Sequence, residues 1–232
     1  LAAILVRDVL GLWGHLDLSK IKSSWPAVRA AMMAELQSAF RQSALSAQDF
    51  YTMSRELAGI TQDLPRFDNT SPALNLPVAS QVLDMTGPGR LLHDIKQGQP
   101  LQQAFQRGGV NLAGAMSRMA LSAGRGVVLD TVKADPKAIA WARITSGNPC
   151  YFCAMLASRG AVYKTAQSAG FEAHNHCACT AAPVFRKQDV KSLTSKDLAQ
   201  EWQRATRGLS GKAAIKAWRK YWDNKGSLQL GQ

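Results

Sequence analysis

The 232-residue chain has no uninterrupted apolar run near the roughly 18 residues that a membrane-spanning helix requires, which excludes a helical membrane span. Leu1 to Leu5 is apolar, but Arg7 and Asp8 follow at once, too soon for a signal-peptide core, and no small-residue cleavage site comes after them. The first residue is Leu rather than Met, so the expectation is the processed or ordered part of a longer product. Internal repeats and low-complexity runs are absent, which sets aside repeat architectures. Acidic residues are scarce: 16 against 28 Lys and Arg, a net charge of +12. The resulting pI of about 9.9 favours a polyanionic partner such as nucleic acid, or an acidic protein surface; a basic but inert surface is the bland alternative. Hydrophobic content, at 46%, is ordinary, and the length suffices for one full core or a core plus a smaller module.

Cysteine is also scarce, and its placement is informative. All four cysteines fall between Cys150 and Cys179, in Cys150-Tyr-Phe-Cys153 and, about twenty residues on, His174-Asn-His176-Cys177-Ala-Cys179. Soft thiolates and imidazoles gathered in this way suit a tetrahedral Zn²⁺ ion. The Cys-x-x-Cys turn brings two sulfurs to one ion, and the later Cys/His group closes the sphere. Two disulfides would suit a small secreted scaffold better than one segment of a mid-sized chain without a secretion signal. Reactive thiols are the remaining reading.

Taken in order, residues 1 to about 60 read as helical. Leu5, Val9, Leu12 and Trp13 keep the spacing of one apolar face. Asp17 to Ser24 reads as a break, with Ser24 as an N-cap and Pro26 inside the first turn. The long helix that follows should bury Val28, Met32, Leu36, Phe40 and then Leu45. From Thr61 to Pro77 a loop or extended arm is expected, because Pro65, Pro72 and Pro77 with Asp68, Asn69 and Ser71 break any helix. In an assembly subunit such an arm would lie against a neighbour. Gly87-Pro88-Gly89 reads as a turn. Helix resumes near Leu91, pauses at Gly98-Gln99-Pro100 and continues to Asp135-Pro136, with Phe105, Leu112, Met116, Met119, Ala120, Ala123 and Val127 as its stripe. Gly108, Gly109, Gly114, Gly124 and Gly126 weaken that helix by about 1 kcal/mol each relative to Ala, or else permit close helix contacts.

Ala138 to Thr145 reads as a strand leading into the first Cys pair, with Ser146 to Pro149 as the turn that presents Cys150. Phe152 to Ser158 reads as a short helix ended by Gly160, Val162-Tyr163 as a strand, and Thr180 to Phe185 as another. A module this small has too little core of its own, so an ion would contribute folding free energy directly. In the basic tail, Thr194 with Asp197 resembles a capping box. Leu198, Trp202 and Ala205 share a face that Gly208 ends. A second helix, from about Gly211 to Trp222, carries Ile215, Trp218 and Trp222 on its apolar face. Lys212, Lys216, Arg219 and Lys220 lie elsewhere on it, as a solvated basic face or as contacts to phosphate or an acidic partner.

The expected fold class is therefore α+β and mostly helical. A helical N-terminal body spans 1–135, with an extended loop near 61–79. A small α/β zinc-knuckle module spans 136–186, and a basic helical tail spans 187–232.

Three segments together carry a resemblance: Trp141-Ala-Arg143, then Cys150-Tyr-Phe-Cys153-Ala-Met-Leu-Ala-Ser-Arg-Gly160-Ala-Val-Tyr163, then His174-Asn-His-Cys177-Ala-Cys179. They resemble the minor capsid proteins of tailed phages, in the form found in actinobacterial phages and prophages. The C-x-x-C … H-x-x-C-x-C pattern is similar to the Mu-F-like head-morphogenesis domain. The motif covers Ala138 to Phe185. The resemblance implies a structural virion protein, located in the head interior or at the portal vertex and assembled in the host cytoplasm in several copies. It implies the portal protein and other capsid proteins as partners, with packaged double-stranded DNA as a further one. It also places the metal ligands on Cys150, Cys153, His174, Cys177 and Cys179, five candidates for the four places of a structural Zn²⁺, with His176 as an extra. Cys150 and Cys153 with two of the other three are the expected set; a residue left over would orient another ligand.

Enzyme readings fare less well. Zinc deaminases need His-x-Glu ahead of the Cys pair, whereas here the Cys pair comes first. His174-Asn175-His176 invites an HNH-like nuclease, a zinc-dependent nucleic-acid-acting enzyme, but in that family the named residues are spread over a larger motif. A Cys177 nucleophile beside His176 has no assignable orienting Asn or Asp. A fully coordinated site lacks the open position that metal hydrolysis needs, and Glu172 is the one carboxylate in the stretch. No catalytic residue is assigned, and the expected role is non-enzymatic.

Overall fold

A computed structural model describes residues 1–64, 73–145, 149–160, 171, 173–187 and 196–229. The expected loop residues Pro65, Asp68, Asn69, Ser71 and Pro72, the turn at 146–148, the Val162-Tyr163 strand, Glu172 and the Thr194 cap lie outside them. Among the described residues the protein is mostly helical with one two-stranded sheet, an α+β fold as expected. In chain order come α1 (Ala2–Trp13), α2 (Ile21–Leu57), α3 (Leu76–Asp84), a π-helical segment Met85–Gly89, α4 (Arg90–Lys96) and α5 (Leu101–Ala134). There follow β1 (Ala140–Ile144), α6 (Tyr151–Ser158), β2 (Thr180–Val184), α7 (Lys196–Ala205) and α8 (Gly211–Gln229). Among the described residues, no helix is long and apolar enough to cross a membrane.

Contacts divide the chain into two compact units. The first comprises Leu1–Phe50, Arg66–Val127 and Glu172–Ala178; the second comprises Tyr51–Pro65, Val128–Phe171 and Cys179–Gln232.

The first unit is built on an apolar core from α1, α2, α3, α4 and α5, including Leu5, Val9, Trp13, Met32, Leu36, Leu83, Leu91, Leu112 and Met116. The expected α1 stripe and the α5 stripe from Phe105 to Ala120 face this core, with Leu12 half-buried, while Ala123 and Val127 are buried outside that cluster. Along α2 the expected face holds through Phe40, but Leu45 is 54% exposed. A step of five residues from Phe40 turns Leu45 about 140° away, while Ser43, Ala44 and Ala47 stay on the buried side. Ser24 is not the N-cap: α2 starts at Ile21, and the Ser24 hydroxyl inside its first turn donates to Lys20 O at 3.0 Å. The break before it is instead stabilised by Asp17, whose carboxylate accepts from the amide and hydroxyl of Ser19 at 2.9 and 2.6 Å. Those bonds hold the Asp17 pKa below the usual carboxylate value.

Gly87-Pro88-Gly89 is likewise not a turn. It belongs to the π-helical segment that carries α3 into α4, with Gly87 and Pro88 buried. Pro88 has no amide hydrogen, and its ring would crowd an α-helical turn; the wider π turn accommodates both. The Thr86 hydroxyl donates to Val82 O at 2.7 Å.

Gly108, Gly109, Gly114 and Gly124 of α5 are close-approach positions. Trp13 donates from its indole to Phe105 O at 3.0 Å and stacks on the Phe105 ring at 5.3 Å. Its ring lies over Gly109 so closely that an added Cβ would sit 2.6 Å from Trp13 Cδ1. Near the other end, Gly124 N donates to Ser43 Oγ at 3.2 Å, and a Cβ there would meet Ser43 O at 2.7 Å.

The second unit is organised by polar anchors as much as by apolar area. β1 and β2 pair antiparallel, Ala140 opposite Val184 and Ile144 opposite Thr180. Trp218 of α8 is fully buried and gathers Trp202, Tyr221 and Trp222 at centroid distances of 5.4, 5.6 and 5.0 Å. Leu198, Trp202 and Ala205 face this cluster, and Gly208 ends the turn with a φ of 74°. Ile215, expected on the apolar face of α8, is 39% exposed. The face is centred on Trp218, so Ala214, Ala217, Tyr221 and Trp222 fill it and Ile215 falls on the flank.

Elsewhere in this unit, Arg55 and Asp135 form a buried ion pair, and Tyr51 donates to Asp135 Oδ2 at 3.0 Å. Asp135 Oδ1 accepts from Lys137 N at 2.9 Å, and Arg55 Nη2 donates to Gln62 O at 2.7 Å. Burial opposes the charge of Asp135, but the Arg55, Lys137 and Tyr51 hydrogen bonds outweigh it and lower the pKa. Burial and the adjacent carboxylate push the Tyr51 phenol far up, so Tyr51 remains a donor.

Candidate metal centre

The first pair of sulfurs is placed by the start of α6. Cys150 is the N-cap residue, extended at φ −66° and ψ 163°, and its Sγ accepts from Cys153 N at 3.4 Å. An N-cap position and the residue three further on lie on one side of the first turn, so both sulfurs face the same way. Unpaired amides at a helix start also favour a thiolate there. Gly160, at a φ of 67°, ends the helix as its sequence position suggests.

Two carbonyls flanking Cys150 are held from the tail. Trp218 Nε1 donates to Tyr151 O at 2.7 Å, and Trp222 Nε1 donates to Pro149 O at 2.9 Å. The ladder of β1 and β2 positions the remaining elements: Cys179 immediately precedes β2, and Arg143 projects from β1. Arg143 is buried; its Nη1 lies 3.8 Å from Cys153 Sγ, and its guanidinium stacks over Phe171 at 3.7 Å from the ring centroid. Trp141, two residues earlier on the same face of the strand, stacks on the same ring at 5.7 Å.

The segment 173–178 is tied to α5. His176 N donates to Gly114 O at 3.3 Å, and Asn175 Nδ2 donates to Asn111 Oδ1 at 3.4 Å. The His176 ring fills the space that a Cβ on Gly114 would need. His176 itself adopts a left-handed φ of 64°, uncommon for a residue with a side chain. Arg125, also buried, donates from Nη2 to Cys177 O at 2.6 Å and lies 3.8 Å from Cys177 Sγ. His174 is exposed, and its Nδ1 lies 2.7 Å from Asn175 O.

These placements bring the sequence candidates together in two overlapping groups. The ligand atoms of Cys150, Cys153 and His174 lie within 4.8 Å of one another, as do those of Cys153, Cys177 and Cys179. Cys153, Cys177 and Cys179 are buried and Cys150 is half-buried, and all four stand as thiols rather than disulfides. His176 belongs to neither group. Four soft sulfurs and one imidazole fit Zn²⁺ by donor type and number, and the set as a whole can hold a metal ion.

Lys212, Lys216, Arg219 and Lys220 are exposed along α8, and Arg219 is partly engaged, 3.7 Å from Asp223 and 5.2 Å over the Tyr151 ring. Gln200, Gln203 and Arg204 of α7 and Arg207 in the turn after it line an open depression. The side chains that brace the Cys/His cluster were largely hidden in the sequence. Arg143 stands in the Trp141-Ala-Arg143 motif without an evident role, and Arg125 looks like any helical arginine. Trp218 and Trp222 read as apolar, although each indole also carries a donor.

The fold and this cluster define a mostly helical protein with a thiol-rich candidate metal centre. The chain belongs to the VG15 protein family, a viral family of phages, whose model matches residues 1–205. No curated protein and no solved structure matches it.

Proposed function

We propose that this chain is a structural component of the head of a tailed phage, a minor capsid or head-morphogenesis protein whose Cys/His cluster holds a closed, structural Zn²⁺. The observation that carries the reading is the pair of groups that share Cys153, one with Cys150 and His174 and the other with Cys177 and Cys179, three of the five residues being buried. Four ligands drawn from the two groups would saturate a tetrahedral ion and leave no place for a substrate or an activated water, so the centre is read as one that stabilises structure. Membership of a phage family supports a virion role. The partners on this reading are the portal protein and other capsid proteins, with DNA facing Lys212, Lys216, Arg219 and Lys220 of α8. The site is the head interior or portal vertex.

Elemental analysis of the purified chain tests the metal half of the reading. One Zn²⁺ per chain is expected; a metal-free folded chain, or DNA cleavage dependent on an added divalent ion, would contradict it. Localisation of the chain in an intact particle tests the other half. Internal density at the portal vertex is expected, and an outer-shell position would contradict it.

A further inference from the structure

We infer that Arg125 and Arg143 are the positioning and charge-compensating residues of the metal centre, an inference that rests on the metal reading above. Both guanidiniums are buried, at 4% and 2% exposure. A buried cation is costly unless negative charge faces it. Each arginine reaches a different cysteine of the same close group: Arg143 Nη1 lies 3.8 Å from Cys153 Sγ, and Arg125 Nη2 lies 3.8 Å from Cys177 Sγ. Neither contact is accidental to the side chain's placement. Arg143 is held by the Phe171 ring at 3.7 Å, and Arg125 by Cys177 O at 2.6 Å.

The charge of the centre gives these contacts their purpose. A divalent ion with three or four thiolates carries a net charge of about −1 or −2. In a buried site that surplus needs compensation, and two guanidiniums supply it while donating N–H···S bonds that draw charge from the sulfurs. Arg125 has a second task. By holding the carbonyl of Cys177 it fixes the backbone that presents the Cys177 sulfur, just as Gly114 and Asn111 seat the two residues before it. Residues in such outer positions typically change metal affinity about 10–100-fold.

The test uses the full chain loaded with Zn²⁺, with affinity read by competition against a chromogenic chelator. Arg125→Gln and Arg143→Gln should each weaken Zn²⁺ binding by about 10–100-fold. Arg125→Lys and Arg143→Lys, which keep the charge, should recover most of that loss. Arg107→Gln, which removes an exposed charge on the same helix as Arg125, should leave affinity unchanged. Gln variants that bind like the wild type, or Lys variants as weak as the Gln variants, would overturn the inference and leave the metal reading intact. Should a Gln variant fail to fold, its Lys counterpart decides: affinity near wild type supports charge compensation, and a loss of about 100-fold overturns it. A wild-type chain that carries no metal removes the metal reading itself, and this inference with it.

Discussion

The two units reach stability by different means. In the first, the decisive contacts are apolar and steric: Trp13 over Gly109, Ser43 against Gly124, and a core running from Leu5 to Met116. In the second, a handful of polar anchors act at named atoms: Trp218 and Trp222 on the carbonyls beside Cys150, Arg143 at Cys153, and Asp135 held by Arg55, Tyr51 and Lys137. Distributed apolar packing degrades gradually, because each contact contributes little. A region pinned at a few atoms fails when one pin is removed. Substitutions in the second unit should therefore be the more severe, and those expected below run from the largest effect to the smallest.

The largest effect belongs to the proposed metal ligands. Apparent binding free energies of structural Zn²⁺ in small modules are about 10–16 kcal/mol near neutral pH, as large as the whole stability margin of a typical domain, about 5–15 kcal/mol. Cys153→Ser should abolish tight Zn²⁺ binding and unfold the second unit, visible as loss of the near-UV signal of its tryptophans. Next comes the ion pair. Asp135→Ala leaves Arg55 buried without its carboxylate and should cost about 3–5 kcal/mol, read from the midpoint of urea unfolding. The folded-state pKa of Asp135 lies below its unfolded value of about 3.9. Its contribution is therefore complete above that value and is lost as pH falls through the folded pKa. Asp135→Asn should flatten this acid limb of the stability curve.

Trp218→Phe keeps most of the ring but removes the donor to Tyr151 O, a loss of about 1–3 kcal/mol. It should also loosen the proposed Zn²⁺ site, because that carbonyl adjoins Cys150. In the first unit, Gly109→Ala sharpens the contrast: helix propensity gains about 1 kcal/mol while crowding against Trp13 costs about 1–3 kcal/mol, for a net loss of about 0–2 kcal/mol. A thermal melt would resolve it, with metal content unchanged. Smallest in stability terms are Lys216→Ala and Lys220→Ala, exposed and expected to stay within about 0.5 kcal/mol of wild type. Their effect should instead appear in DNA binding, each lowering the slope of log affinity against log salt by about 1. An unchanged slope would remove α8 as the DNA-facing surface.

Much of this could be read from the sequence wherever one local rule decided the outcome. The apolar periodicity of α1 and α5, the pause at Gly98-Gln99-Pro100, β1 between Ala138 and Thr145, and the helix after Cys150 all follow spacing or punctuation. The cysteine spacing likewise announced the cluster. The failures came where a side chain replaced a backbone bond or where a face drifted. Ser24 looks like a cap but satisfies a carbonyl within a helix that has already begun. Gly87-Pro88-Gly89 has turn composition, yet a π turn absorbs the proline within a continuous helical run whose Gly87 and Pro88 are buried. Leu45 and Ile215 fall just off faces that a strict count would extend through them. The arginines and indoles around the cysteines were invisible because their partners are 10 to 73 residues away in the chain, beyond any local pattern.

Hydrogen exchange measured on the Zn²⁺-loaded chain, and again after removal of the ion by a strong chelator, tests the central claim most directly. If the ion holds the second unit together, chelation should strip protection from β1, α6, β2 and α8, while α1 and the 101–127 part of α5 keep theirs. Equal protection with and without the ion, or a uniform loss across both units, would contradict the account.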